Sequence, residues 1–500
     1  MTRRNAMLAL GGIFLLGLGL RVLALFGEPP HHPDEFFQYL EPGWQRLGGA
    51  GVETWEWRDG LRSWVLPGYH GAWMALFARL GVRDGVTFVT LLRAHWALLS
   101  LTLIWAGWRG GALLARRRLT AKVAPARSEE ANGTTAPAGW QGGLLAALLC
   151  AAFPLLVRFS VHTLSELPSI LCMVWALVLT GELAEPEVRA RRAKALSTGA
   201  LLGFGVCLRI QHAPVALLSV LWLLWARRFR GLALVAAGAA LPAAVFGIVD
   251  MLTWGKPFVS FIAYVKFNFV EEGAALFGSM PRWWYAQTFF SRLPLGLPLL
   301  GILCVLGIRA GWPFFAAALV LALTLSTQAH KEERFAMLVW PLMLIPAAGY
   351  AGACLVRRVS LSRPPGTGSE TIAPPRRHRV WLAHSATAAF AVLVLADGAL
   401  HCRGNDFPDL SPGRFAAQAW AGRQPGITGL LYDEPLYFGG YLWFGRPFPQ
   451  LQFEPSLLGN PLFSHVVVPR GSQAMYAAER QGFAQVFAAE DFVVLLRQAR

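Results

Sequence analysis

The first long apolar run, Ala6 to Phe26, is followed at once by the polar segment His31-His32-Pro33-Asp34-Glu35-Phe36-Phe37-Gln38. A helix of about 20 apolar residues crosses a bilayer, so the polar segment begins where the chain leaves the membrane. The run is longer than the apolar part of a typical signal peptide, and we expect it to be retained as the first spanning helix. Two adjacent carboxylates so close to the hydrocarbon are costly unless a positive or hydrogen-bonding group comes to them.

The composition is that of a polytopic membrane protein. Of the 500 residues, 55% are hydrophobic and 15% are charged, whereas soluble domains carry about 25% charged residues. The fold class that we predict is therefore all-α and membrane-spanning. Runs of spanning length recur and predict eleven transmembrane helices, at 6–26, 87–108, 142–159, 166–184, 195–210, 213–226, 231–251, 290–308, 312–328, 335–356 and 380–400.

The net charge of +16 comes from loops rather than from a nucleic-acid surface. The arginines cluster in alternate loops between the apolar runs, as the positive-inside rule requires of cytoplasmic loops. We therefore expect no nucleic-acid partner, and we expect loop 27–86, turn 329–334 and the tail from 401 to lie outside the cytoplasm. Two of the cytoplasmic loops, 116–140 and 360–379, lack apolar periodicity and are predicted to be disordered.

The tail is less apolar than the rest of the chain and predicts a small extracytoplasmic α/β domain at 401–500, after a transmembrane domain at 1–400. Two short apolar runs, His465 to Val468 and Phe492 to Leu496, predict strands, and a helical pattern from Ala474 to Gln481 lies between them. The expected organisation is one membrane domain followed by one domain outside the membrane.

Asp34 and Glu35 are the candidate catalytic residues. A carboxylate at a water-poor interface can take a proton from a hydroxyl, because burial raises its pKa toward that task. Adjacent side chains on a helix point in different directions, so one of the two would be the base and the other would orient or pair. The competing interpretation is a helix N-terminus with acids in its first turn. That interpretation does not account for His32 and the aromatic residues that follow.

Two further polar stretches are expected on the same side of the membrane. Trp55-Glu56-Trp57, followed by Arg62, combines rings that stack on sugars with groups that hydrogen-bond hydroxyls or a phosphate. In His330-Lys331-Glu332-Glu333-Arg334, the two cations could hold the phosphate of a lipid-linked sugar. The alternatives are an interfacial aromatic belt for the first stretch and a solvated turn with internal salt bridges for the second.

Weaker candidates lie in the loop 252–289, where Lys266 and Asn268 precede a run of aromatic residues. This loop could form a sugar or lipid wall, or it could be an interfacial loop. Arg209 and Gln211, at the outer end of a span, could equally be satisfied polar groups of the bundle. No metal site is predicted. The predicted substrate-binding residues are His32, Trp55, Glu56, Trp57, Arg62, Lys266, Asn268, His330, Lys331, Glu332, Glu333 and Arg334.

The motifs, in this order, resemble the signatures of the Alg9-like (GT22-type) mannosyltransferases, the group that builds dolichol-linked oligosaccharides and GPI anchors. The nearest likeness is to the GPI mannosyltransferases, and it extends over roughly residues 1 to 400. The stretches that carry it are His32-Pro33-Asp34-Glu35-Phe36-Phe37-Gln38, Thr54-Trp55-Glu56-Trp57 with Arg62-Ser63, and His330-Lys331-Glu332-Glu333-Arg334-Phe335.

The resemblance implies a GT-C glycosyltransferase fold and a polyprenyl-phosphate-linked mannose donor. It also implies a glycan or glycolipid acceptor, inversion at the anomeric carbon, Asp34 as the base, and no metal or other cofactor. One departure stands out, because Glu166 directly follows Ser165 where the family usually shows an asparagine, with a glutamate further on. Acceptor recognition at that place is therefore open.

The basic loops and short chain suit a multi-pass protein of a bacterial inner membrane, with its active site and C-terminus outside the cytoplasm. Bacteria lack GPI anchors, so the acceptor there would be another glycan or glycolipid. One alternative is a GT-C transferase that uses a different polyprenyl-phosphate sugar, such as an arabinosyl or glucosyl donor. Another is a polyprenyl-lipid transporter or flippase, which would carry polar residues at mid-bilayer in several spans.

Overall fold

The computed structural model describes residues 2–120, 139–185, 192–360, 377–402, 411–433 and 440–498. The loops predicted to be disordered, 116–140 and 360–379, lie for the most part outside these ranges, so that prediction stays untested.

Helices make up most of the described chain. Those of the first half are α1 (Arg3–Gly27), α2 (Glu41–Gln45), α3 (Trp55–Arg58), α4 (Val65–Arg79), α5 (Gly85–Ser100), α6 (Thr102–Thr120), α7 (Trp140–Ala152), α8 (Pro154–Arg158), α9 (Glu166–Ala184), α10 (Arg192–Leu208), α11 (Ala213–Trp225) and α12 (Phe229–Trp254). Those of the second half are α13 (Val259–Val265), α14 (Trp284–Arg292), α15 (Gly296–Leu306), α16 (Ile308–Thr327), α17 (Val339–Ser360), α18 (Arg377–His401), α19 (Pro412–Gly422) and α20 (Gln473–Arg480).

Within the described ranges, seven segments are long and apolar enough to cross a membrane as one helix. Two bent pairs, α7 with α8 (59°) and α14 with α15 (105°), raise the number to nine if each pair is one span. Every predicted run coincides with a helix or a bent pair, but α10 and α11 have only 17 and 13 residues. The multi-pass membrane fold is confirmed, whereas the count of eleven spans is not. The seven segments are Arg3–Gly27, Gly85–Leu119, Glu166–Ala184, Phe229–Trp254, Ile308–Thr327, Glu333–Leu355 and His384–His401.

The centre of the bundle is formed by α6, α7 and α17, which approach one another through glycines. A Cβ atom at Gly111 would lie 2.4 Å from the carbonyl oxygen of Gly142, and one at Gly352 would lie 2.2 Å from the Gly142 nitrogen. Close packing of this kind stabilises helices in lipid, where no hydrophobic effect drives them together. Of the seven segments, the one that includes α17 is the most buried, with 83% of its apolar stretch inside the structure. The turn that leads into α17 is therefore surrounded by other helices.

The C-terminal region forms a five-stranded sheet in the order β2-β1-β3-β5-β4. β1 pairs in parallel with β2 and β3, and the β3–β5 and β4–β5 pairs are antiparallel. The two predicted strands and the helix between them correspond to β3, β5 and α20, while β1, β2 and β4 were not predicted. The domain boundary near residue 400 stays a prediction. The strands are β1 (Leu430–Tyr432), β2 (Gln450–Gln452), β3 (His465–Pro469), β4 (Phe483–Ala489) and β5 (Phe492–Arg497).

Candidate active site

A cavity of about 1330 Å³ opens at the end of the bundle that carries loop 27–86. Its walls come from distant parts of the chain: the segment after α1, the region around α3, the end of α10 with the residues that follow it, the stretch from α12 to α14, and the turn before α17. Glu35, Trp57 and Lys266 are the predicted site residues that do not line it. Those that do are His32, Asp34, Trp55, Glu56, Arg62, Asn268, His330, Lys331, Glu332, Glu333 and Arg334.

Asp34 and Arg334 meet in this cavity, although 300 positions separate them. The Arg334 Nη2 atom donates to Asp34 Oδ2 at 2.7 Å, and His32 Nδ1 lies 3.3 Å from Asp34 Oδ1. Burial alone would raise the pKa of Asp34, but His32, Arg334 and Arg62 together hold it well below its usual value. Asp34 is therefore ionised at neutral pH, and a quarter of its side chain is exposed to the cavity.

Glu332 contacts three basic side chains that line the cavity near Asp34. Its carboxylate accepts from Arg334 Nε at 2.6 Å and lies 3.0 Å from His330 Nε2 and 3.5 Å from His32 Nε2. Burial would raise the pKa of Glu332, but Arg334, His330 and His32 hold it below its usual value. Arg334 is therefore held between two ionised carboxylates, those of Asp34 and Glu332, which fix its direction.

Glu35 points away from the cavity, and its role differs from that of Asp34. Its carboxylate accepts from the backbone N–H of His31 at 2.7 Å, and from the N–H and hydroxyl of Thr163 at 3.0 and 3.1 Å. His162 lies 3.0 Å away. Burial would raise the pKa of Glu35, but His162, the Thr163 N–H and Arg93 hold it below its usual value. Glu35 thus ties the Asp34 segment to the chain before α9.

Arg62 and Glu56 form an ion pair in the cavity wall. Glu56 Oε1 also accepts from the Gln38 side chain at 3.3 Å, which connects the α3 region to the segment after Asp34. Arg62 lies 5.9 Å from the Tyr264 ring centroid, so the pair faces the stretch between α12 and α14. Hydroxyl-rich ligands are bound by such mixed acceptors and donors.

Trp55 and Trp57 diverge, as their spacing in a helix requires. Trp55 lines the cavity and stacks at 6.1 Å and 18° on Phe277, an exposed aromatic residue of the facing loop. Trp57 is only 3% exposed, packs on Trp64 at 4.5 Å, and donates from Nε1 to the Phe37 carbonyl at 2.9 Å. The predicted sugar-stacking role therefore has the right position at Trp55 and not at Trp57, which belongs to the core.

Lys331 lines the cavity and differs from the other cations there. Its ammonium donates to the carbonyls of Met280, at 3.1 Å, and Gln328. Burial and the neighbouring Arg282 lower the pKa of Lys331. Within the described residues it has no carboxylate partner, so its positive charge is not neutralised by the protein.

Of the three remaining predicted residues, Glu333 and Asn268 line the cavity and Lys266 lies on the protein surface. Glu333 accepts a bidentate pair of bonds from Arg292 at 2.9 and 2.8 Å, and both line the cavity. Asn268 lines it too but donates to the Tyr264 carbonyl at 3.0 Å. Lys266 is mostly exposed and pairs with Glu271 at 3.1 Å, so the structure gives no support to a substrate role for it.

A model of the Alg9-like mannosyltransferase family matches residues 12–401. The chain belongs to this family. The resemblance inferred from the three motifs is thereby confirmed.

Relatives of this Alg9-like chain include GPI mannosyltransferase 3 of Yarrowia lipolytica, 28% identical over 325 residues, which covers 63% of the chain and 57% of the relative. Mannosyltransferase APTG1 of Arabidopsis thaliana is 25% identical over 385 residues, covering 74% and 63%. The chain therefore spans less than two thirds of the length of these relatives. Both come from eukaryotes, so a bacterial inner membrane stays a prediction.

Solved structures show the same fold. ArnT from Cupriavidus metallidurans, bound to undecaprenyl phosphate, superposes with a TM-score of 0.59 at 14% identity and 97% coverage of both chains. The mycobacterial arabinofuranosyltransferase AftD superposes with a TM-score of 0.50 at 15% identity, covering 100% of this chain and 42% of that one. At such identities the likeness shows the fold alone, and it supports the GT-C architecture expected for this Alg9-like protein.

Some cavity residues were missed or undervalued from the sequence. Arg209 lines the cavity and pairs with the buried Glu166 at 2.5 Å, and Gln211 donates to the Tyr264 hydroxyl at 2.5 Å. Arg292 was not singled out at all. Only its position at the end of a polar-faced helix, ahead of an apolar run, could have suggested it.

Proposed function

We propose that the protein transfers a mannosyl residue, with inversion, from a polyprenyl-phosphate-linked donor to a hydroxyl of a glycan or glycolipid at the extracytoplasmic face of the membrane. The observation that carries the proposal is the contact of Asp34 with Arg334 inside a cavity that also holds Lys331 and two aromatic walls. This combination supplies a base, a cation for a phosphate and surfaces for sugars in one place.

In the proposed step, the acceptor oxygen attacks C1 of the donor sugar, the C1–O bond to the lipid phosphate breaks, and the acceptor proton passes to Asp34. The low pKa of Asp34 makes it a weak base that is ionised at neutral pH. Such a base takes the proton late, when positive charge has developed on the attacking oxygen. Arg334 and Glu332 hold the carboxylate in one orientation, which is the positioning that such a reaction needs.

The leaving phosphate would be stabilised by Lys331. The other cations that line the cavity (Arg62, Arg209, Arg292 and Arg334) each have a carboxylate partner, whereas Lys331 is held by carbonyls. A phosphate is therefore stabilised most next to Lys331. It can accept a hydrogen bond from the ammonium in place of one backbone carbonyl, or it can be attracted by the positive charge at close range. No strong acid is required, because a lipid phosphate is already a good leaving group.

The lipid tail would leave the cavity past the segment that begins at α13. Phe261 and Phe269 both line the cavity and are 44% exposed, and Ile262, which does not line it, is 62% exposed. An apolar, partly exposed segment beside the cavity suits a polyprenyl chain that passes from the bilayer to a phosphate inside.

The experiment is incubation of purified protein with radiolabelled polyprenyl-phosphate-mannose and a host lipid extract. We expect label to appear in a product other than the donor, and we expect a chelator to leave the rate unchanged, since no metal or other cofactor is proposed. Parallel reactions with polyprenyl-phosphate-arabinose and polyprenyl-phosphate-glucose test the donor. Transfer of arabinose or glucose without transfer of mannose would refute the mannosyl assignment. Donor flipping in vesicles without transfer of any sugar would refute it too.

A further inference from the structure

The helix that begins at Asp34 contacts the C-terminal domain, which comprises the described residues from 411 to 498. A π-helical turn, Glu35–Leu40, continues without a break into α2. Asp34 itself has helical backbone angles (φ −58°, ψ −28°). A displacement of α2 is therefore passed along a continuous helix to the Asp34 carboxylate.

Glu41, the first residue of α2, makes the polar part of this contact. Its Oε1 atom accepts from the backbone N–H groups of Tyr441 at 2.6 Å and Val52 at 3.2 Å, and its Oε2 atom accepts from the N–H of Leu442 at 3.0 Å. The side chain is completely buried. Among the described residues no lysine, arginine or histidine lies within ion-pair distance of it.

An aromatic contact lies beside this carboxylate. Phe36, which is completely buried, packs its ring 5.0 Å from Phe415 and 5.7 Å from Trp443, both of the C-terminal domain. Gly440 lies directly against Glu41, because a Cβ atom on Gly440 would be 2.4 Å from the Glu41 carboxylate. Gly440 also has a φ of +82°, which favours glycine.

We propose that Glu41 is a positioning residue that binds the Tyr441 and Leu442 backbone and so locks the C-terminal domain onto the helix that presents Asp34. A buried carboxylate without a cation costs stability, and a purely structural contact between two apolar surfaces would not need one. The two hydrogen bonds from the Tyr441 and Leu442 backbone are directed and fix distance and rotation, which apolar packing alone does not. The proposal rests on the proposed function, since it assigns the C-terminal domain the task of holding the base in place.

Two variants break the contact from opposite sides. Glu41→Gln turns one acceptor oxygen into a donor that faces N–H groups, and Gly440→Ala pushes a methyl group into the carboxylate. For the full-length protein in detergent we expect each to raise amide hydrogen exchange in 34–45 and 440–445. We also expect each to lower kcat about tenfold or more with donor KM changed less than about twofold, because a displacement near 1 Å can cost about a hundredfold in rate.

A double variant tests whether the two changes act through one contact. Glu41→Gln combined with Gly440→Ala should lower kcat by less than the product of the two single effects, since the effects of residues in contact are not additive. Asp397→Asn is the matched control: Asp397 is a buried carboxylate that accepts from the N–H groups of Leu295 and Gly296 at 2.9 and 2.7 Å. It should lower thermal stability and leave exchange in 34–45 unchanged.

Unchanged exchange in 34–45 in both single variants would overturn the proposal, and so would normal kcat in variants whose exchange has risen there. If the wild-type protein transfers no sugar from any donor, the proposed function fails. The exchange comparison then still decides whether Glu41 holds the Asp34 segment.

Discussion

Replacing Asp34 by asparagine is the most direct test of the chemistry. The amide keeps the shape of the side chain but cannot take a proton, so kcat should fall at least about a hundredfold, the lower range for general-base catalysis. That factor corresponds to about 2.7 kcal/mol of transition-state stabilisation. The donor KM should change little, because the phosphate cation proposed here is Lys331.

The fold should tolerate this change. A hydrogen bond to a charged group contributes about 1.5–3 kcal/mol, and the partial exposure of Asp34 reduces that figure through solvent screening, to about 1 kcal/mol. Arg334 keeps Glu332 as a partner at 2.6 Å, so no buried cation is left unpaired. The thermal midpoint of the variant should therefore lie close to that of the wild type.

The assay is the initial rate of label transfer at several donor concentrations, with thermal unfolding measured on the same preparation. Glu35→Gln is the matched control, because Glu35 is the adjacent carboxylate but does not line the cavity. It should lose about 1–3 kcal/mol of stability, since N–H groups of His31 and Thr163 are left facing an amide. The kcat of its folded fraction should fall less than that of Asp34→Asn, because Glu35 positions the Asp34 segment whereas Asp34 takes the proton. A kcat for Asp34→Asn within about threefold of wild type, with Glu35→Gln inactive though folded, would refute the assignment of the base.

Three further predictions use residues whose positions the structure distinguishes. Lys331→Met should lower kcat/KM for the donor about 10- to 100-fold, because the uncompensated cation of the cavity is removed; unchanged kcat/KM would place the phosphate elsewhere. Trp55→Ala should lower kcat/KM with little loss of stability, whereas Trp57→Ala should cost about 3–5 kcal/mol of stability because a buried ring is removed. A normal kcat/KM with a large loss of stability for Trp55→Ala, and the opposite for Trp57→Ala, would contradict their placement. Burial raises the pKa of Glu41 from 4.5 to about 7, so the folded state binds the proton more tightly than the unfolded state. Stability should therefore be greatest below about pH 4.5 as far as this group is concerned, and should fall by up to about 3 kcal/mol as pH rises through 7. Glu41→Gln should remove that part of the pH dependence of the thermal midpoint, and an unchanged slope would show that Glu41 is not its source.

Much of the architecture follows from one-dimensional patterns. Membrane class depends on run length and on the low fraction of charge, and both are properties of neighbouring residues that need no tertiary contact. The strands β3 and β5 were equally visible as short apolar runs. β1 and β2, with three residues each, are too short for any period to show. The span count is not confirmed at α10 and α11, which are helices of only 17 and 13 residues, because run length in the sequence does not show where a helix begins and ends.

The chemistry of the site was accessible from the sequence only as a set of residue types. The motifs indicated carboxylates, cations and aromatic rings outside the bundle, and most of the predicted residues line one cavity. Adjacent pairs could not be separated, because which of two neighbours faces the cavity depends on how the helix is rotated against its surroundings. The structure turns Asp34 and Trp55 inward and buries Glu35 and Trp57.

What the sequence alone determined is that the chain is a multi-pass membrane protein, and which chemical groups are available near the ends of its apolar segments. What only the tertiary structure decided is which groups meet: Asp34 with Arg334, Arg209 with Glu166, and Glu41 with the backbone of Tyr441. Apolar periodicity records burial within one helix, whereas these pairs join parts of the chain up to about 400 positions apart. Such pairs are fixed by the packing of separate helices, which no local pattern encodes.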